Sequence, residues 1–270
     1  MRLLSRITAE AAMSAEEQVS RAIRMATEEL GMDVGVVASK TRNRYCVRAL
    51  HAPDLALHVG DEFPLPRASM LVGPEADAAV AIPDLRGVGA EHPAYARFGH
   101  HGYLGAPIRV KGSFYGAVTF WSREARASFP PEDCEFIQLL GLWMGELLEK
   151  ASAEAQVRDS RNLLSSLLTS SLDGIMAFEA VRDAQREIID FTWILANPRA
   201  ADIVGRSPEY LIGKKLLDEM PGNVESGLFE RYKEVTETGA SFQHEFPYNH
   251  DGVEGWFYNS AVKLKDGFFV

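Results

Sequence analysis

The sequence predicts an α+β protein of two domains, each a mostly antiparallel sheet with flanking helices, joined by a long helix. Three observations carry this. The chain has 270 residues, more than the roughly 100–150 of an ordinary domain. Short β-branched runs fall in two separate blocks, and no proline interrupts the chain between Pro131 and Pro198. The expected division is residues 1–150, a linker helix at 151–165, and a second domain at 166–270 whose last strand is incomplete.

Residues 7–30 place Ile7, Ala11, Val19, Ile23, Ala26 and Leu30 among Glu and Arg, with Gly31 next, which reads as an amphipathic helix with a glycine stop. Residues 33–39 and 45–50 read as a hairpin, and 63–66 ends a third extended piece. The Gly-, Ala- and Pro-rich stretch 67–102 is too long for a plain connection, so it is where a ligand is expected. Residues 103–110 and 113–122 form a second hairpin around Lys111-Gly112.

Pro131 with Glu132 and Asp133 opens a helix, proline in the first turn and carboxylates on the positive end of the dipole. It can run to about residue 171, roughly 60 Å at 1.5 Å per residue. Leu140, Met144, Leu147, Ala151, Leu164 and Leu168 are its candidate dimer positions, although Glu154, Arg158 and Arg161 interrupt the heptad pattern. Beyond it, 175–180 and 188–195 read as strands. Asn197-Pro198 caps a short helix. Helical pieces follow near 207–212 and 226–238, then strands at 241–248, 253–264 and 268–270.

Composition narrows the function. The chain is 46% hydrophobic and 24% charged, with net charge −10. Residues 1–150 carry net −3 and residues 151–270 net −7, so neither half offers the basic face that nucleic acid or an anionic membrane requires. No apolar run approaches the ~18 residues of a membrane span, and the N-terminus turns acidic where a signal peptide turns apolar. The two isolated cysteines, Cys46 and Cys134, read as free thiols in a reducing cytoplasm.

The first half resembles a GAF domain. The residues that carry this are Gly102-Tyr103-Leu104-Gly105-Ala106-Pro107-Ile108, the Tyr115-Gly116-Ala117-Val118 strand, Phe129 to Asp133, and Ala81-Ile82-Pro83-Asp84-Leu85. The second half resembles a PAS domain through Asp173-Gly174-Ile175, Ala196 to Ala200, Val204-Gly205-Arg206, Leu211 to Lys214 and Leu217 to Pro221. The resemblance implies a sensory region of a bacterial signalling protein that binds a small ligand or dimerises. Such regions control a histidine kinase, a diguanylate cyclase or a cyclic di-GMP phosphodiesterase. No effector motif is found here, and the reading is therefore a sensory fragment of a longer polypeptide, not itself an enzyme.

Several sensor chemistries are argued against residue by residue. Covalent bilin in GAF domains uses a Cys-His pair before a Tyr, and the comparable run here is Glu91-His92-Pro93-Ala94-Tyr95, without the thiol. LOV-type flavin photochemistry needs a cysteine, and residues 151–270 hold none. A haem ligand is not expected: the PAS half offers only His244 and His250, and His51, His58, His92, His100 and His101 read as loop or surface residues. His100 and His101 are adjacent, cannot share a strand face, and have no ligand cluster around them, so no metal is expected. The cyclic-nucleotide signature of GAF domains is absent.

The candidate GAF pocket is Phe63, Met70, Ile82, Asp84, Tyr95, Phe98, His101 and Tyr103, unless these aromatics simply fill the core. The candidate PAS pocket is Phe178, Trp193, Leu195, Ile203, Leu211, Phe229, Tyr232, Phe242 and Trp256, with few polar handles, so a filled PAS core is expected. The function read from these residues is a cytoplasmic, homodimeric sensory module acting on a C-terminal effector. The alternatives are a ligand-free dimerisation scaffold and a GAF-type thiol reductase, in which Cys134 at a helix N-terminus would be the reactive thiol.

Overall fold

The computed structural model describes residues 13–64, 71–87 and 99–270. The chain forms two compact units, Met1–Gln156 and Val157–Val270. Both are sheet-dominated and α+β.

In the first unit, helix α1 (Ala15–Glu29) starts with a reciprocal cap. Ser14 Oγ accepts from the Glu17 amide at 3.3 Å, and the Glu17 carboxylate accepts from the Ser14 amide at 2.8 Å. The expected start at residue 7 lies outside the described residues. Strands β1 (Val34–Thr41), β2 (Arg44–His51), β3 (Glu62–Pro64), β4 (Val80–Ile82), β5 (Gly102–Val110) and β6 (Ser113–Ser122) form one antiparallel sheet in the order β3-β2-β1-β6-β5-β4. The β5–β6 hairpin turns at Lys111 and Gly112, both at positive φ, the geometry that matches the twist of the flanking strands.

This sheet is buried on both faces. Val37, Leu104, Ala106, Ile108, Val118 and Phe120 face the helices, where they meet Val19, Ile23 and Ala26 of α1. Val36, Ala38, Tyr45, Tyr103 and Trp121 face the other way, under the segment that contributes Val72 and Leu85. That double burial is why β1 and β5 read as nearly continuous apolar runs rather than alternating ones.

Helix α2 (Pro131–Ser170) is 40 residues long and continuous. Its buried residues are Ile137, Leu140, Gly141, Met144 and Gly145, at the spacing of one helix face. Both glycines are there for proximity. A methyl group at Gly141 would lie 2.6 Å from the Pro107 carbonyl oxygen, and one at Gly145 would fall on that of Arg109. The helix thus rests directly on the backbone of β5.

This corrects the expected dimer positions. Leu140 and Met144 are fully buried in the unit's own core and offer no free surface, and Leu147 is half-buried against it. Ala151 and Leu168 are half-buried. Leu164 is exposed at 60%, in company with Val157, Leu163 and Leu167.

The second unit has strands β7 (Met176–Arg182), β8 (Ile188–Ala196), β9 (Phe242–His250), β10 (Val253–Lys263) and β11 (Gly267–Phe269), in the order β8-β7-β11-β10-β9. Between β8 and β9 run α3 (Pro198–Val204), α4 (Pro208–Leu211), α5 (Leu216–Glu219), α6 (Gly222–Glu225) and α7 (Leu228–Thr238). The single-turn α5 and α6 have no counterpart in the sequence reading, since four residues are too few to show a period. The buried Asp190 carboxylate, accepting from the Leu217 amide at 3.1 Å, secures α5.

Phe268 is the centre of this core. It stacks on Phe178 at 4.6 Å and on Tyr232 at 4.1 Å, and meets Phe191 edge-on at 4.9 Å between centroids. Strand β11 pairs with β10 only at Val262 and Lys263. Residues 253–261 of β10 therefore have a strand neighbour on one side alone among the described residues.

On an exposed helix a glycine-to-alanine change stabilises by about 1 kcal/mol. At Gly145 the sign should reverse: Gly145→Ala is expected to lose about 1–3 kcal/mol through overpacking, read from urea unfolding of the full chain.

Candidate functional site

The expected first-unit site is only partly assembled by the described residues; Met70, Tyr95 and Phe98, with the Glu91–Tyr95 run, lie outside them. Tyr103 is fully buried, its ring edge-on to Trp121 at 4.5 Å. Its hydroxyl faces the Leu71 and Val72 backbone, and burial pushes its pKa up. Phe63 and Ile82 pack on the same cluster. These three residues serve the core.

Asp84 is engaged as well. Arg86 Nη2 reaches its carboxylate at 2.6 Å and Nε at 2.9–3.0 Å, and His101 Nδ1 stands 3.6 Å away. The Arg86 hydrogen bonds hold the carboxyl well below the usual carboxylate range. His101 is tied into the fold, its carbonyl accepting from Leu85 at 2.8 Å. Its neighbour His100 is buried, which lowers its pKa.

The thiols do not fit a nucleophile. Cys46 is buried in β2, its Sγ 3.8 Å from the Val47 carbonyl oxygen. Cys134 lies in the first turn of α2, where the dipole favours a thiolate. Burial, and then the adjacent Asp133, raise its pKa. Among the described residues no group of three or more His, Cys, Asp or Glu could hold a metal ion, and no helix is long and apolar enough to cross a membrane.

The second unit has a packed aromatic core and, beside it, an open-sided cavity. This cavity of about 730 Å³ is bordered by Phe178, Trp193, Ile203, Tyr232 and Trp256 of the expected set. Leu211 and Phe229 are buried in the core cluster, Phe242 packs against it, and Leu195 is half-buried outside both. Trp256 corrects its assignment as an inner wall: it is 73% exposed, on the outer side of β10. Residues from both sides of β10 border the cavity because the strand's second edge is open there.

The cavity also has polar lining. Asn259 Nδ2 donates to the Tyr232 hydroxyl at 2.6 Å, while its buried Oδ1 has no partner among the described residues. Trp193 Nε1–H, also buried, has no acceptor among the described residues. Farther along, Asn223 Nδ2 donates to the Tyr248 hydroxyl at 3.3 Å, and that hydroxyl donates to Asp251 at 2.6 Å. The signal for Asn259 was present in the sequence: it shares an inward alternation with Gly255, Phe257 and Ala261 on β10. An amide at such a position needs a partner.

Asn197 is a structural strut, as its sequence context predicts. Its Oδ1 accepts from Ala200 at 2.8 Å and Ile175 at 2.9 Å, while Nδ2 donates to the Leu168 carbonyl at 3.1 Å and the Asp173 carbonyl at 2.9 Å. One side chain caps α3 and holds the end of α2 to β7. His250 Nδ1 lies 3.3 Å from Glu225, and His244 is exposed between the rings of Phe242 and Phe246.

A family model for the GAF domain matches residues 14–148, and one for the PAS fold matches residues 189–269. The chain belongs to the GAF family, with a PAS domain after it. Both domain types are sensory and regulatory modules. No curated protein matches the chain. Among solved structures, the GAF domain of a phosphoenolpyruvate-protein phosphotransferase from Coxiella burnetii is 20% identical, covering 57% of this chain and 95% of its own, with a TM-score of 0.47. The phycocyanobilin-bound GAF domain of a cyanobacterial phytochrome is 16% identical over 57% and 95%, TM-score 0.49. Free methionine-R-sulfoxide reductase of Neisseria meningitidis is 14% identical over 57% and 87%, TM-score 0.46. Likeness at this level does not bear on ligand or activity.

Two outcomes are expected. Asn197→Ala should lose roughly 1–3 kcal/mol of PAS-half stability by denaturant titration, and Asn197→Asp should fall between, keeping the Oδ1 acceptor and losing both Nδ2 donors. With Cys46 replaced by serine, Cys134 should be alkylated by iodoacetamide at pH 8 more slowly than free cysteine, because its thiolate forms at higher pH.

Proposed function

We propose that this chain is the sensory input module of a bacterial signalling protein, cytoplasmic and dimeric, that takes a small molecule in its PAS half and controls an effector in the same polypeptide. The observation that carries this reading is the PAS cavity. It has the size of a small-molecule site, mainly aromatic and aliphatic walls, and two buried polar atoms, Trp193 Nε1 and Asn259 Oδ1, without partners among the described residues. A buried orphan donor and acceptor each forfeit about 1–3 kcal/mol, and a ligand that engages them restores it.

The chemistry of the lining selects the ligand. Trp193, Tyr232, Asn223 and Asn259 supply uncharged hydrogen-bonding groups, with Asp173 and Arg199 also on the border, so a molecule with both hydrogen-bond donors and acceptors fits. In the GAF half, Tyr103 in the core and Asp84 held by Arg86 support a structural role for that side of the sheet. The effector class, a histidine kinase or an enzyme of cyclic di-GMP turnover, follows from the company GAF and PAS domains keep. The raised pKa of Cys134 and the burial of Cys46 speak against the thiol-reductase alternative.

Native mass spectrometry of the freshly purified chain tests the proposal. A stoichiometric non-covalent mass is expected, and Asn259→Leu should lose it while remaining folded. A bare chain whose melting temperature moves with no member of a heteroaromatic panel would leave the scaffold reading in its place.

A further inference from the structure

We propose that the surface built by Arg206, Tyr210, Ile212 and Lys214 in the PAS half docks a short acidic segment of a partner protein, one that carries an aliphatic side chain among its carboxylates. None of these four residues borders the cavity, so the contact stands whether or not the cavity takes a ligand.

Tyr210, on α4, is 45% exposed and yet held in place. Its hydroxyl donates to the Glu219 carboxylate at 3.0 Å, and Lys214 Nζ and the Arg206 guanidinium lie 5.2 and 6.0 Å from its ring centre, within cation–π range. The stretch that follows is pinned to β8: the Gly213 amide donates to the Trp193 carbonyl at 2.9 Å, and the Trp193 amide to the Lys214 carbonyl at 3.0 Å. Ile212 and Ile194, which flank those bonds, are 45% and 46% exposed. One aromatic ring, two aliphatic side chains and two cations are thus fixed before any partner arrives, which cuts the ordering cost of binding. Tyr and Arg are favoured anchors at such surfaces.

Charge selects the partner. Residues 199–215 hold four basic and two acidic side chains, whereas the rest of residues 151–270 holds eight basic and 17 acidic. Elsewhere in this unit Arg182 is neutralised by Asp266 and Glu237, Arg231 by Glu234 and Lys233 by Glu230. At the Tyr210 surface the balance is different. Arg206 reaches only Glu219, at 3.9 Å, and Lys214 and its exposed neighbour Lys215 have no carboxylate partner among the described residues. Carboxylates on a partner complete these pairs. A long polyanion is repelled by the acidic remainder of the chain, net −10 overall, while a short segment covers this surface alone. A bare anion leaves Ile194 and Ile212 in water, and an aliphatic side chain between the carboxylates covers them.

The test is selection of a random dodecapeptide display library on the full chain, counter-selected against the variant that combines Tyr210→Ala with Lys214→Glu, whose folding is checked by near-UV circular dichroism. The retained peptides are expected to be rich in Asp and Glu with Leu, Ile or Val among them. A fluorescein-labelled member should lose at least about tenfold in Kd for Lys214→Glu and for Tyr210→Ala separately, should regain most of it with Lys214→Arg, and should bind more weakly as sodium chloride is raised. A selection that retains no peptide, or retains basic or wholly apolar ones, overturns the proposal. So does displacement of the peptide by inorganic phosphate beyond what sodium chloride of equal ionic strength achieves, which would make this a small-anion site.

Discussion

The contact of α2 with the backbone of β5 is the constraint on which most of the structure depends. Gly141 and Gly145 let the helix axis approach until the Pro107 and Arg109 carbonyls fill the space where side chains would be. Two glycines in a helix are unfavourable by about 1 kcal/mol each. The return is a tight interface in which Ile137, Leu140 and Met144 reach Leu104, Ala106 and Ile108, and close packing of that kind is felt at the level of single methyl groups. The helix then continues without a break to Ser170.

The PAS half answers at the other end of that helix with hydrogen bonds rather than packing. Asn197 joins the Leu168 and Asp173 carbonyls to the amides of Ile175 and Ala200, so the exit from α2, the start of β7 and the cap of α3 share one side chain. Phe268 stacks between Phe178 and Tyr232, and those two rings border the cavity, so its inner wall is set by the same aromatic stack that centres the core.

Much of this was legible in the sequence and some was not, for physical reasons. The 131–170 helix, both hairpins of the GAF half and the Asn197 cap were readable because proline placement, strand period and capping chemistry are local. The alternation of β10 is local and legible, and it puts Trp256 on the outer side beside Tyr258, where it borders the cavity only across the strand's open edge. The spacing of Leu140 and Met144 shows a helix face without showing what covers it, and here the first unit's own core does. The cavity was invisible because unfilled space depends on how five strands and five short helices meet, which no window of sequence contains.

The glycine seat also makes α2 a counter. With the helix locked on β5 at Gly145, each residue inserted between that point and Ser170 turns the later side chains of the helix itself by about 100° about its axis, whereas seven residues restore their facing to within about 20°. A length change in this segment is thus translated into the angle between the helix face seated on β5 and the face its last turns present.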